Sequence, residues 1–295
     1  ADGLNREAVA KIFQAKGRPG DNPLILHISA LDQIAPLIAC ELSSVAKKMA
    51  DAFWPGPLTM IFPKSARVPE NVSAGLSTVA IRFPAHPDAQ RLIAAAETPI
   101  AAPSANRSGK PSPTTANHVF EDMDGRIPLI LDGGECLVGV ESTVVDMTGP
   151  VPHILRPGGI TAEQIAQVAG ASEVDSAVMR PLAEGEKPRS PGMAHRHYAP
   201  NGQLTVFTGD SDRVIQRIQS EYDCAKANGS RPLILSMEAH VASYGDRRIE
   251  SLGADETAMA HRLFALLRDA DHMEADVLFA EGVEAKGVGL AVMNR

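Results

Sequence analysis

Between residues 171 and 202 the chain loses its hydrophobic periodicity and gathers Pro181, Pro188, Pro191 and Pro200 together with Gly185 and Gly192. That composition favours a connecting segment over a packed element. The patterns on its two sides differ. After it, strand signals at residues 204–207, 232–236 and 277–280 alternate with helical signals at 212–226 and 256–271, and the chain closes on a loop and the start of a helix. Strict alternation predicts a small parallel sheet in the Rossmann-like style. Before it, several strand signals follow one another without intervening helices, which predicts an α/β domain with a mixed sheet. The expected organisation is a first domain over 1–180, a linker or lid over 181–202 and a second domain over 203–295.

Local signals fill in the first domain. Asn5 caps a predicted helix carrying Val9, Ile12 and Phe13 that ends near Gly17. A strand is expected over 23–28 and helical pattern over 31–53, stopped by Trp54-Pro-Gly-Pro57. Strands are expected at 58–62, 78–83, 100–103, 129–132, 143–146 and 153–156. Helices are expected at 88–96 and from Thr161 to about Gly170.

The chain has 295 residues, 44% apolar and only 4% aromatic, so its cores are to be built from aliphatic side chains. A formal net charge of -8 argues against a broad nucleic-acid-coating surface and leaves room for a local basic cleft. Cys40, Cys136 and Cys224 are far apart and form no C-x-x-C pair, which fits a reducing cytoplasm and disfavours a disulfide framework. No apolar run approaches the roughly 18 residues of a membrane span, and the N-terminus has no basic-then-apolar targeting pattern. A soluble cytoplasmic protein without a membrane partner is expected.

Two clusters could carry chemistry. Lys16-Gly-Arg18-Pro-Gly-Asp-Asn22 sets a point charge and a planar fork two residues apart, a pairing suited to phosphate oxygens. Cations at a helix end also simply complement its dipole. Ala101-Ala-Pro-Ser104-Ala-Asn106-Arg-Ser-Gly109 follows an apolar strand with small polar groups that allow close ligand approach, or a plain Ser/Asx turn. Gly134 and Gly139 have the glycine spacing of a P-loop, but Val140 and Glu141 stand where its Lys and Ser/Thr belong, so a Walker-type loop is rejected. No G-x-S-x-G is present, and His195-x-His197 alone is a weak metal signal. His27, between Leu26 and Ile28, faces the opposite side of its strand and reads by itself as a structurally satisfied histidine.

The order of the motifs is more telling than any one of them. Lys16-Gly-Arg18-Pro, Pro55-Gly-Pro-Leu-Thr59, Ala80-Ile-Arg82-Phe-Pro84, Ala102-Pro-Ser-Ala-Asn106, Glu141-Ser-Thr-Val-Val-Asp146, Ile154-Leu-Arg-Pro-Gly158 and Ser190-Pro-Gly-Met-Ala-His-Arg-His-Tyr198-Ala-Pro200 come in succession. This series resembles the threonylcarbamoyl-AMP synthases in their long two-domain form, Sua5, whose catalytic part is the YrdC-like domain. The resemblance is dense over residues 1–200 and looser beyond. It implies a YrdC-like mixed twisted sheet followed by the Rossmann-like domain, and a nucleotidyltransferase that joins ATP, L-threonine and bicarbonate. Threonine's amine captures bicarbonate, the carbamate attacks the α-phosphate, and pyrophosphate leaves. The adduct serves t6A modification of adenosine 37 in tRNA through a separate transferase, so tRNA and that downstream complex are candidate partners.

Residue by residue, the resemblance implies that Lys16, Arg18, Ser104 and Asn106 form the core facing ATP. Asn22, Thr78, Ser112 and Arg156 match further nucleotide contacts. His27, Arg82, Ala102 (through its backbone) and Ser142 match the threonine pocket. Tyr198 and its neighbours match a lid that would exclude water from a labile mixed anhydride. Mg²⁺ is expected to arrive with ATP through its phosphates, with no metal site built from side chains. The family's Pro-Thr-Glu-Thr-Val-Tyr-Gly-Leu motif would stand just before Ala1, and its family's terminal helix would run past Arg295; both are expected to be trimmed ends. Two other readings remain open on the sequence: an RNA-binding YrdC-like module without catalysis, and a carbamoyltransferase-type YrdC enzyme.

Overall fold

The computed structural model describes residues 1–178 and 199–295. Its first sheet has seven strands and its second has four. Helix α1 (Arg6–Lys16) begins where the Asn5 side chain accepts from the amides of Glu7 and Ala8. It ends where Gly17 turns left-handed at φ 62°, which costs a residue without Cβ little. Next come β1 (Ile25–His27), α2 (Ser44–Phe53), β2 (Leu58–Pro63), α3 (Glu70–Ser73), β3 (Thr78–Arg82), α4 (Pro87–Ala96) and β4 (Ile100–Ala101). They are followed by α5 (Ala116–Met123), β5 (Thr143–Asp146), β6 (His153–Arg156), α6 (Ala162–Ala169) and β7 (Glu173–Val174).

The strand order is β4-β1-β3-β2-β5-β6-β7, with parallel pairs β1/β3, β2/β5 and β6/β7 and antiparallel pairs between them. The sheet is mixed, as the uninterrupted strand signals predicted. One of its faces builds the main core, with Leu26, Met60, Phe62, Ile81 and Val145 packed on Val9, Met49 and Ile165 of the helices. The other face carries a small cluster of Ile25, Ile61, Ala80, Val144 and Leu155. The functional cleft described below lies over this second face.

Two expectations for this domain are corrected. Residues 31–53 are not one helical stretch: a single 3₁₀ turn (Leu31–Gln33) precedes irregular chain, and α2 starts only at Ser44. Pro36 has no amide to continue a helix, while Ile38 bridges to Lys64 and the Ala39 amide donates to Pro63 O, 2.9 Å away. Ile34, Leu37 and Ile38 still reach the core, which accounts for the helical-looking spacing. Residues 129–132 form no strand. Leu129 and Leu131 are exposed, and no neighbouring strand takes up their backbone. Two short elements, α3 and β7, carry too few residues to show a period, and α5, as long as α6, is a helix that the sequence analysis does not include.

The second domain runs β8 (Gln203–Phe207), α7 (Ser211–Ala227), β9 (Pro232–Met237), β10 (Ile249–Gly253), α8 (Glu256–His272), β11 (Val277–Glu281) and α9 (Gly287–Met293). The order β10-β9-β11-β8 is parallel throughout. Strand β10 had no sequence signal, since Ile-Glu-Ser-Leu-Gly lacks a run of β-branched residues. Ile218 and Tyr222 of α7 pack with Ile234 and Phe279, whereas α8 covers Leu233, Leu235 and Leu278, so the helices lie on opposite faces. Among the described residues no helix is long and apolar enough to cross a membrane.

The loop after β6 places the site through one close approach. A Cβ on Gly158 would stand 2.3 Å from Glu141 O and 2.4 Å from Thr143 N, both backbone atoms. We therefore expect Gly158→Ala to lower stability by about 2 kcal/mol or more through overpacking. Gly149→Ala, which meets nothing closer than 3.8 Å, should stay within about 0.5 kcal/mol. Urea unfolding of the two variants checks this.

Candidate functional site

A cleft of about 240 Å³ opens where strand ends of the first sheet meet the loop after β4. His27 ends β1, directly beside Arg82 at the end of β3. Ser142 immediately precedes β5 and Arg156 ends β6. Because side chains alternate along a strand, His27 stands on the face opposite to the buried Leu26 and Ile28. Nine of the residues singled out in sequence line this one cleft: Lys16, Arg18, His27, Arg82, Ala102, Ser104, Asn106, Ser142 and Arg156.

Lys16, the last residue of α1, is buried. Its Nζ donates to Ser104 O at 2.5 Å, to Asn106 O, and to Asn106 Oδ1 at 3.3 Å. The loop returns the contact, since the Ser108 amide donates to Lys16 O at 2.9 Å. Asn106 spans the loop with its Nδ2, donating to Arg107 O and to Lys110 O at 2.8 Å. Helix end and loop thus form one unit. Burial first, and then the Arg18 guanidinium, pull the Lys16 ammonium down to about 7. Arg18 is braced by Nη2 contacts to the carbonyls of Asn22 and Pro23.

On the opposite side, Arg156 donates through Nε and Nη2 to Ser142 O, and through Nη2 to Ser142 Oγ at 3.1 Å. Ser142 Oγ lies 2.8 Å from Thr59 Oγ1. Arg82 donates from Nε to Gly56 O at 3.1 Å; burial, then Arg156, lower it to about 10, so it keeps its charge near neutral pH. His27 donates from Nδ1 to Ile100 O at 3.3 Å, which leaves Nε2 as an acceptor. Burial, then Arg82, hold its pKa down to about 3, so the ring is neutral. A neutral acceptor beside a fixed guanidinium suits a zwitterion with a carboxylate and an N–H or O–H donor.

Glu141, which opens the Glu141–Asp146 motif, also lines the cleft. Its Oε1 accepts from Ser112 Oγ at 2.6 Å and its Oε2 from Arg295 Nε at 2.6 Å. Burial alone would raise its pKa, but Arg295 and then Arg156 overcome this and hold it down to about 2. It is the one carboxylate among the described residues that line the cleft, against four basic side chains, Lys16, Arg18, Arg82 and Arg156. The chemistry on offer is stabilisation of anions.

Three of the residues expected at the nucleotide stand off the cleft wall. Ser112 reaches it only through Glu141. Asn22 is fully buried and neither its Oδ1 nor its Nδ2 has a hydrogen-bond partner. Thr78 begins β3, four residues from Arg82, and pairs with Pro63. Tyr198, the His195–His197 pair and most of the expected lid lie outside the described residues.

Comparison with known proteins gives the lineage. Residues 1–158 match the family Sua5_yciO_yrdC, described as "Telomere recombination", and residues 160–295 match Sua5_C, described as "Threonylcarbamoyl-AMP synthase, C-terminal domain". The threonylcarbamoyl-AMP synthase of Pyrococcus abyssi is 46% identical over all of this chain and 85% of its own length. That of Bacillus subtilis is 46% identical, again over the whole chain and over 84% of its length. The crystal structure of P. abyssi Sua5 complexed with L-threonine superposes with a TM-score of 0.93, covering all of this chain and 84% of that one. The chain belongs to the threonylcarbamoyl-AMP synthases. Membership of this two-domain family accounts for the order of the motifs and for the second, parallel sheet, neither of which an isolated phosphate cleft would require.

The lowered Lys16 pKa has a measurable sign. Below about pH 7 the lysine is charged in both folded and unfolded chains, and its burial penalty is fully present. Between about 7 and its ordinary 10.5 the unfolded chain holds a proton that the folded one has released, so stability rises with pH there. Lys16→Met should flatten that rise, as read from denaturant unfolding at pH 7 and pH 9. A wild-type slope equal to the variant's would place the lysine pKa outside this window.

Proposed function

We propose that this chain makes threonylcarbamoyl-AMP and pyrophosphate from L-threonine, bicarbonate and ATP, as a nucleotidyltransferase. The observation that carries the reading is one cleft holding two kinds of anion site side by side. Lys16 and Arg18 stand at a helix end with the Ser104–Asn106 loop, and Arg82 stands with neutral His27 at the ends of adjacent parallel strands.

In this reading the Arg82 fork takes the threonine carboxylate, and His27 Nε2 accepts from the amino acid. The Ala102 backbone and Ser142 close that pocket. Threonine's amine adds to bicarbonate with loss of water, giving a carbamate. A carbamate oxygen then forms a bond to the α-phosphorus of ATP while the bond to the bridging oxygen of pyrophosphate breaks. The reaction needs alignment and charge stabilisation more than a protein nucleophile. Lys16, Arg18, Ser104 and Asn106 supply these around the phosphates, with Arg156 and Tyr198 as further nucleotide contacts. Asn22, Thr78 and Ser112, which the resemblance also points to, stand behind the cleft wall and would act only through the residues that line it.

Mg²⁺ would come in on the triphosphate, since the cleft's carboxylate is already held by Arg295 and Ser112. Bound there, it would neutralise phosphate charge. The adduct would then pass to a transferase acting on adenosine 37 of tRNA. Three exposed free thiols fit work in the cytoplasm.

Incubation of the protein with ATP, bicarbonate and threonine should release pyrophosphate only when all three are present; release that ignores threonine would sink the reading. Lys16→Ala and Arg18→Ala should each reduce kcat/KM for ATP by about 10²-fold or more. Lys16→Ala should also lower the thermal midpoint, because Ser104 O, Asn106 O and Asn106 Oδ1 lose their shared donor. ATP binding should also take up protons at pH 8 and far less at pH 6, since phosphate charge restores the Lys16 proton. Calorimetry in buffers of different ionisation enthalpy reads that difference.

A further inference from the structure

Arg268, on α8 of the second domain, is 4% exposed and reaches across to the first domain. Its Nη2 donates to Asp122 Oδ2 at 2.8 Å and to Pro111 O at 2.7 Å, and its Nη1 lies 3.7 Å from Glu121. Asp122, on α5, is 2% exposed. Its Oδ2 also accepts from the Arg107 amide at 3.2 Å, and its Oδ1 accepts from Lys110 Nζ at 3.1 Å. Arg107 and Lys110 are the residues whose carbonyls Asn106 holds while it accepts from Lys16. The contacts therefore run from the second domain to the ammonium in the cleft without a break.

A second seam lies on the other wall. A Cβ on Gly139 would stand 2.3 Å from His261 Cα of α8, so only glycine allows that approach. Val140 is buried within the second domain's core. Glu141, next in line, is paired with Arg295 and lines the cleft.

We infer that the second domain is a clamp on the nucleotide side of the cleft, and that Arg268 is a positioning residue that fixes the 104–111 loop through Asp122. The chemistry explains why a charged pair sits there. A buried carboxylate can gather an amide, an ammonium and a guanidinium at once, which no apolar contact does. Burial by itself would raise the Asp122 pKa; Arg268 first, and Lys110 next, bring it below the ordinary carboxylate range. The clamp rests on the proposed ATP site for its consequence, but not for its geometry.

The test uses the full chain with Arg268→Gln, Arg268→Lys and the double variant Asp122→Asn/Arg268→Gln, read by amide hydrogen exchange over residues 104–111, thermal midpoint, ATP affinity and KM values. In Arg268→Gln, exchange in the loop should quicken about tenfold or more, and KM and Kd for ATP should rise about tenfold while KM for threonine changes little. The double variant removes both charges; it should recover the midpoint and keep the fast loop and weak ATP binding. Arg268→Lys, which keeps the charge and loses the fork, should fall between and serves if the Gln variant does not fold. Unchanged loop exchange in the single variants, or recovery of ATP binding together with the midpoint in the double, would overturn the clamp. Absence of threonine-dependent pyrophosphate in the wild type would count against the proposed reaction alone, since loop exchange needs no turnover.

Discussion

The first domain's site depends on a buried ammonium. Lys16 leaves the end of α1 and is met by Ser104 O, Asn106 O and Asn106 Oδ1, while the Ser108 amide caps the same helix end. Only a group with several protons can satisfy three acceptors at once, and burying it without them would cost several kcal/mol. The loop is thus shaped around the lysine, and the lysine is held by the loop. A cation partly stripped of water, with Arg18 close by, is poised to gain from an arriving polyphosphate. Burial and repulsion lower its pKa, and phosphate charge would reverse both effects.

The rest of the cleft separates charges by wall. Arg82 and neutral His27 stand at adjacent strand ends, so their spacing is set by the β1/β3 register and not by flexible loops. Arg156 donates to Ser142 and so fixes the turn into β5 while it lines the cleft. Glu141 would oppose an anionic ligand were it not paired with Arg295 and Ser112. That pairing originates in the second domain, as does the Arg268–Asp122 pair below the opposite loop. The parallel sheet of the second domain thereby acquires a physical purpose.

Much of this was legible in the sequence, because local rules speak plainly at helix ends and along strands. Asn5 and Gly17 mark both ends of α1, and Lys16 follows from the second mark. Alternation around His27 set its face, although alone it suggested a core histidine; the open cleft on that face is a tertiary fact. The failures have the same origin. Leu129 and Leu131 alternate like strand residues, but no strand lies beside them. Ile34 and Leu37 have helical spacing, but Pro36 stands between them and the chain buries them irregularly. Arg268 and Arg295 are separated from Asp122 and Glu141 by 146 and 154 residues, and no local pattern announces such pairs. Asn22 and Thr78 were named through family resemblance, and the cleft wall does not include them.

The central claim is that this cationic cleft joins a threonine-derived carbamate to the α-phosphate of ATP. Phosphorus-31 NMR of a reaction supplied with ¹³C-bicarbonate tests it most directly. An adenylate phosphorus split by coupling to one ¹³C, seen only when threonine is present and accompanied by pyrophosphate, is the predicted result. Formation of ADP and inorganic phosphate, or an adenylate signal without carbon coupling, would contradict it.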